Sequence, residues 1–278
     1  MRSIKSIWMR VVSIVFVSSL LNMVAHAVLS PMETSHQPTV NPSVFVKNGV
    51  LVPAVIVWEL MAFSVLALVY ISIQDNLNGK RWVKGLLYGL SFGGLYFIGM
   101  FEAVLLLSSN AQTELLMGLT DCATFVLSGA LLGLMVGTDS ADSPKKQNAW
   151  AILVIGIFYT VGRYFAYSVM HVQSAINTKP LGTLIWTISQ GLWVGIIYQM
   201  LQSGTKGKSV ITQSVFFGVV IFGLNWLMNH LFMYVIIEFT LDLLVRVATD
   251  VLSTILGIIA FKTLSALGDR SNNMGAQI

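Results

Sequence analysis

The sequence predicts an all-α fold, a polytopic transmembrane helix bundle of about eight spans, and three observations predict it. The first is composition. Of 278 residues, 55% are hydrophobic and only 10% are charged, against about 25% charged in soluble domains. Such a chain cannot cover a water-facing surface, so lipid is its main solvent. The second is length. A spanning helix needs about 20 mainly apolar residues, and eight stretches meet that requirement: 8–29, 50–73, 83–108, 112–136, 150–172, 180–202, 209–237 and 241–265. They far exceed the alternating 9–11 residues of a barrel strand, roughly speaking.

The third observation is the placement of Lys and Arg. Arg2, Lys5, Arg10, Lys80, Arg81, Lys84, Lys145, Lys146, Lys206, Lys208, Lys262 and Arg270 fall on one set of segments, and the alternate loops hold only Lys47 and Lys179. Twelve against two predicts both termini in the cytoplasm by the positive-inside rule, in a multi-pass cell-membrane protein. The net charge of +4 is accounted for by orientation, so nucleic acid is not an expected partner. The lipid bilayer is.

Taken in order, the first span carries a second reading. Its basic start, apolar run and Ala25-His26-Ala27 also fit a signal peptide cleaved at an A-x-A site; N-terminal sequencing of the mature protein distinguishes the two. The third and seventh stretches are long enough to tilt or to extend past the bilayer. Gly85, Gly89, Gly93 and Gly94 in the third span, and Gly129, Gly133 and Gly137 in the fourth, are spaced for close backbone approach between helices. Cys122 is the one cysteine, which excludes an internal disulfide and CxxC chemistry.

An internal duplication is expected. At a shift of 128 residues Trp58 meets Trp186, Tyr70 meets Tyr198, Gln74 meets Gln202, Gly79-Lys80 meets Gly207-Lys208, Glu114-Leu115-Leu116 meets Asp242-Leu243-Leu244, and Gly129 meets Gly257. One further residue of shift brings Gly89, Gly94 and Leu95 onto Gly218, Gly223 and Leu224. The first and fifth spans match more weakly, through Trp8 with Trp150 and His26 with His171. The chain therefore divides into four-helix halves, 1–143 and 144–278. Four is an even number, so the halves are parallel repeats, an arrangement in which transporters place sites at the repeat interface.

Charge inside a bilayer costs at least a few kcal/mol and often marks function. Glu59, Glu102, Glu114, Asp121, Glu238, Asp242 and Asp250 lie in or at the ends of spans, and Arg163 and Arg246 are the deep bases. With the orientation above they gather in the outer half of the bundle, leaving the inner half apolar. The first half holds acids without bases and the second supplies the two arginines, so pairing across the halves is expected. Asp242, Arg246 and Asp250, at i, i+4 and i+8, share one helix face, where Arg246 can bond either carboxylate. The candidate substrate or ion site is Glu59, Glu102, Asp121, Arg163, Arg246 and Asp250. Structural or secondary roles fall to Glu114 and Asp242, as acids in a first helical turn. They fall also to Asn225 and Asn229, as interhelical hydrogen-bonding groups, and to His230, as a buried structural histidine.

Three functions follow from this pattern. A carrier would use a polar outer cavity between the halves, and the excess of acids favours a cationic solute or proton coupling. A non-catalytic subunit or sensor would act with a partner chain or a second copy, since the cytoplasmic segments are too short for a signalling domain. An intramembrane enzyme has the least support. Ser128-Gly129 lacks the preceding glycine of a GxSG turn, no HExxH or GxGD pair occurs, and the four histidines are scattered, so neither a metal nor a cofactor is implied.

Overall fold

The computed structural model describes residues 4–29, 41–140, 148–205 and 209–275, with side chains through 267. Arg2, Lys145, Lys146, Lys206, Gly207 and Lys208 lie outside the described residues, as does the side chain of Arg270. The described chain is helical, without strands. Its long helices are α1 (Ile4–Leu29), α3 (Leu51–Ile73), α4 (Arg81–Leu106), α5 (Ala111–Met135), α6 (Ala149–Ser168), α7 (Pro180–Leu201) and α10 (Leu241–Gly275). The seventh span is assembled from α8 (Val210–Val215), a π-helical stretch Phe216–Gly223 and α9 (Leu224–Ile236), and a short α2 (Val44–Lys47) precedes α3. Eight helices are thus long and apolar enough to cross a membrane, as composition required.

Most boundaries follow local chemistry. Asn110 caps α5 by accepting hydrogen bonds from the amides of Gln112 and Thr113, Asn148 caps α6 through Trp150, and Pro180 opens α7, where its missing N–H costs nothing. The fifth span ends at Ser168, short of the expected 172. The chain leaves the helix there because His171 takes a left-handed conformation at φ 55° and the Val172 amide turns back to the carbonyl of Ala166. The π-helical stretch has no counterpart in the sequence reading; the Leu224 amide donates to Val219, five residues back, a wide turn often found at functional positions.

The helices run up and down between two ends. At one, here the Gly79 end, Asn76 donates to the carbonyl of Gly204, Arg10 to that of Met135, and Thr138 to Asp75. Lys84 is buried there and donates to the carbonyl of Gln74, satisfying the C-terminus of α3. At the opposite Asn110 end, Ser43 and Ile236 join through their backbones, Pro42 bridges Ile237, and Lys179 donates to the carbonyl of Val104.

α1 packs on α3 and α5, and α4 packs on α5; α6 packs on α7 and α10, and α10 packs along the seventh span; α4 meets α7, and α3 meets α9. The α4–α5 seam is the tightest. A Cβ at Gly85 would fall 2.1 Å from the Gly129 carbonyl, and one at Gly129 would fall 2.3 Å from that of Gly85. Only glycine allows this approach, as its spacing predicted. Tyr70, Tyr88, Phe92, Phe217, Phe222 and Trp226 fill the common core.

Candidate functional site

The deep charges fall into two clusters that share no residue. One is centred on Arg163, and α6, α10, α4 and α9 build it. Arg163 is fully buried and turns its side edge to Asp250: Nε donates to Oδ1 at 2.6 Å and Nη2 to Oδ2 at 2.6 Å. Its Nη1 reaches Glu102 at 2.9 Å and its Nη2 also reaches the Tyr159 hydroxyl at 3.3 Å. The guanidinium lies 5.1 Å from the Trp186 ring centroid, where ring quadrupole and cation attract. Asp250 accepts a further bond from the Trp226 indole at 2.7 Å. Arg246 donates to Glu102, to Asp242 at 3.1 Å and to the carbonyl of Gln173 at 2.5 Å. Three carboxylates thus face two guanidiniums, with nearly every group paired. Such a set holds helices in register, and breaking it costs far more than it contributes intact.

Both arginines grip Glu102, so an acid from residues 1–143 meets bases from residues 144–278. Arg246 bonds Asp242 but not Asp250, because the Asp250 carboxylate is filled by Arg163 and Trp226. His230 sits edge-on to Trp226, with ring centroids 4.5 Å apart; its Nδ1 lies 3.1 Å from the Trp226 carbonyl and its Nε2 3.9 Å from Glu102. The Asn225 side chain donates to the Ile221 carbonyl of its own span. The Asn225 backbone carbonyl takes an interhelical bond, from the Tyr96 hydroxyl. The Asn229 amide lies beside Gly99. Glu114 occupies the first turn of α5, and Asp242 that of α10, where it accepts from the amide of Gln173.

The second cluster belongs to α1, α3 and α5. Asn22 donates through one nitrogen to Glu59 at 2.8 Å and to Asp121 at 3.0 Å. His26, one turn along α1, brings Nε2 to 2.8 Å from the same Asp121 oxygen and Nδ1 to 3.0 Å from the Met117 sulfur. Among the described residues no arginine or lysine bonds either carboxylate. Joined through one nitrogen, the two carboxylates lie within about 6 Å of one another; like charges at that distance repel by about 3 kcal/mol at an effective dielectric constant of ~20. Glu59 is 3% exposed and Asn22 1%, yet Glu59 Oε2, Asn22 Oδ1 and the Ser19 hydroxyl are buried without a hydrogen-bond partner. Buried polar atoms of that kind are scarce in folded proteins and call for a specific explanation.

The polar character continues toward the bundle centre. Ser18 and Ser128 share a hydrogen bond of 2.6 Å, and beyond them Val11, Ile14, Val15 and Leu132 close the path with apolar side chains. At the other extreme His26 is 27% exposed. The exposed edge of the cluster is thus His26, on the Asn110 side, and its neighbours toward the Gly79 end are buried.

Glu59 and Asp121 stand out in the sequence as acids within spans, whereas Asn22 and His26 do not. The signal was present: Ser19, Asn22 and His26 recur at i, i+3 and i+7, one polar stripe on an otherwise apolar span. Residues 5–29 pack as a span within the bundle, so cleavage after Ala27 would remove both groups from the site. A groove of about 340 Å³ between α4 and α7 is lined by Phe97, Phe101, Leu105, Ile185, Trp186 and others, none of them ionisable; it is not the polar cavity that the sequence led one to expect. Among the described residues no group of three His, Cys, Asp or Glu side chains has metal-binding geometry.

Eight of the described helices are long and apolar enough to cross a membrane, a fold compatible with a multi-pass integral membrane protein. Compared with protein-family models, curated proteins and solved structures, the chain shows no match.

Proposed function

We propose that this protein is a membrane carrier for a small solute or ion, and that the Asn22–Glu59–Asp121–His26 cluster is where a cation is bound. One observation carries the reading. Two buried carboxylates share a single amide donor, with unpaired oxygens beside them, a histidine on Asp121 and, among the described residues, no arginine or lysine bonded to either. Intramembrane acids in such a setting are costly unless they meet a mobile positive charge. The Arg163 cluster, with its charges already met from within, serves as the fixed element between the halves.

The duplication into halves 1–143 and 144–278 is part of this proposal, and matched contacts support it. Trp58 of α3 donates its indole hydrogen to the Met228 carbonyl of α9 at 2.8 Å, and Trp186 of α7 donates to the Ile98 carbonyl of α4 at 2.9 Å. The Tyr70–Tyr88 and Tyr198–Phe217 ring pairs, equivalent under the shift, have centroids 5.2 Å apart in both copies. The α1–α3, α1–α5 and α4–α5 packing recurs as α6–α7, α6–α10 and α10 with the seventh span. The distribution of Lys and Arg supports a cytoplasmic Gly79 end, which directs the acidic cluster outward.

Flux into proteoliposomes tests the carrier reading. A panel of small cations and a pH-sensitive dye are followed under an imposed voltage, with Glu59→Gln and Asp121→Asn beside the wild type. Transport lost in the variants supports the reading, and transport unchanged with all the deep acids neutralised overturns it.

A further inference from the structure

We infer that the cation held by the Asn22 cluster is a proton, shared between His26 and the Asp121–Glu59 carboxylates and exchanged with the Asn110 end through His26. The inference rests on the cation-binding role proposed above and specifies its ligand.

Hydrogen counting carries it. Both nitrogens of His26 face groups that ordinarily only accept: the Met117 thioether sulfur at 3.0 Å and the Asp121 carboxylate at 2.8 Å. A neutral imidazole has one N–H and can satisfy one of them. Meeting both requires one proton more than a neutral imidazole and a carboxylate carry together, either as imidazolium or as a protonated Asp121. The two hydrogens of the Asn22 amide are already committed, one to each carboxylate, so Asn22 cannot supply it. Glu59 Oε2, buried and unpartnered, is the second place where a proton can reside.

The surroundings fit a proton better than a metal ion. The titratable groups facing the cluster are His26 from α1, Glu59 from α3, Asp121 and Cys122 from α5, and Tyr96 from α4, whose hydroxyl is committed to Asn225. They include no metal-binding triad. His26 is partly exposed, while Asn22 and Glu59 are buried, so the ring is the group through which water outside the bundle would exchange a proton with the cluster. The step balances simply: an N–H or O–H bond forms with a proton from that water and breaks when the proton returns.

Infrared spectroscopy of the purified full-length protein, titrated between roughly pH 5 and 9, tests the assignment. The expected result is a protonated carboxyl or imidazolium band that titrates in the wild type, changes in His26→Gln and in Glu59→Gln, and is the same in sodium as in choline. His26 lies at the partly exposed end of its span, so His26→Gln keeps the fold; the sodium and choline comparison needs no variant. A titration indifferent to both substitutions overturns the proposal. So does a band that moves with sodium and survives His26→Gln, which would assign the site to a metal cation. Absence of flux in proteoliposomes with this titration intact overturns the carrier reading and leaves the proton site standing.

Discussion

Arg163 and Asp250 face each other edge to edge, with two hydrogen bonds of 2.6 Å and neither side chain exposed to any degree. A pair of this kind stabilises only while complete. Arg163→Ala leaves the buried Asp250 with the Trp226 indole but without its guanidinium, and Asp250→Ala leaves the guanidinium with Glu102, itself shared with Arg246, as its remaining carboxylate. Each is expected to cost about 3–5 kcal/mol, read as a lowered unfolding midpoint in mild detergent. Arg163→Lys is expected to rescue little, because an ammonium cannot bond two carboxylates and a hydroxyl in one plane.

Gly85 and Gly129 set the distance between α4 and α5. Gly129→Val places atoms inside the Gly85 carbonyl, so the helices must separate or the hairpin fails to form. The expected outcome is loss of the monodisperse species in size-exclusion chromatography, whereas Leu127→Val, on the exposed face of the same helix, leaves it intact.

If Trp58 and Trp186 are equivalent in a duplicated chain, their losses should match. Trp58→Phe and Trp186→Phe each remove one interhelical hydrogen bond, at about 0.5–1.5 kcal/mol apiece. The double variant should lose the sum, since the two bonds share no residue. Thermal melts of the singles and the double measure this directly.

Orientation has its own check. In a Cys122→Ser background, Lys80→Cys at the Gly79 end is expected to react with an impermeant thiol reagent only in inverted vesicles, and Gln112→Cys only in right-side-out cells. The opposite pattern reverses the topology and directs the acidic cluster toward the cytoplasm.

The eight spans were legible because lipid imposes composition over some 20 residues at a time, a signal no local detail can hide. The glycine seam was legible for a similar reason: Gly85, Gly89, Gly129 and Gly133 have one plausible use in an apolar helix. Which charge meets which was not. Arg246 sits one turn from both Asp242 and Asp250, and the choice between them was made by Arg163 and Trp226, distant in sequence. The site itself was half visible. Acids in spans attract notice, whereas Asn22 and His26 lie in a segment that also reads as a signal peptide, and their value depends on α3 and α5 packing against α1. The π-helical stretch at Phe216–Gly223 left no mark in composition, since it differs from an α-helix by one residue in its hydrogen-bond register.

The two buried clusters do different work, and Glu59→Gln separates them most directly when stability and flux are measured on the same preparation. The substitution keeps an oxygen for Asn22 while removing a buried charge. The expected result is an unfolding free energy within about 1 kcal/mol of the wild type or higher, together with loss of cation or proton flux. Full flux in a normally folded Glu59→Gln protein would contradict it.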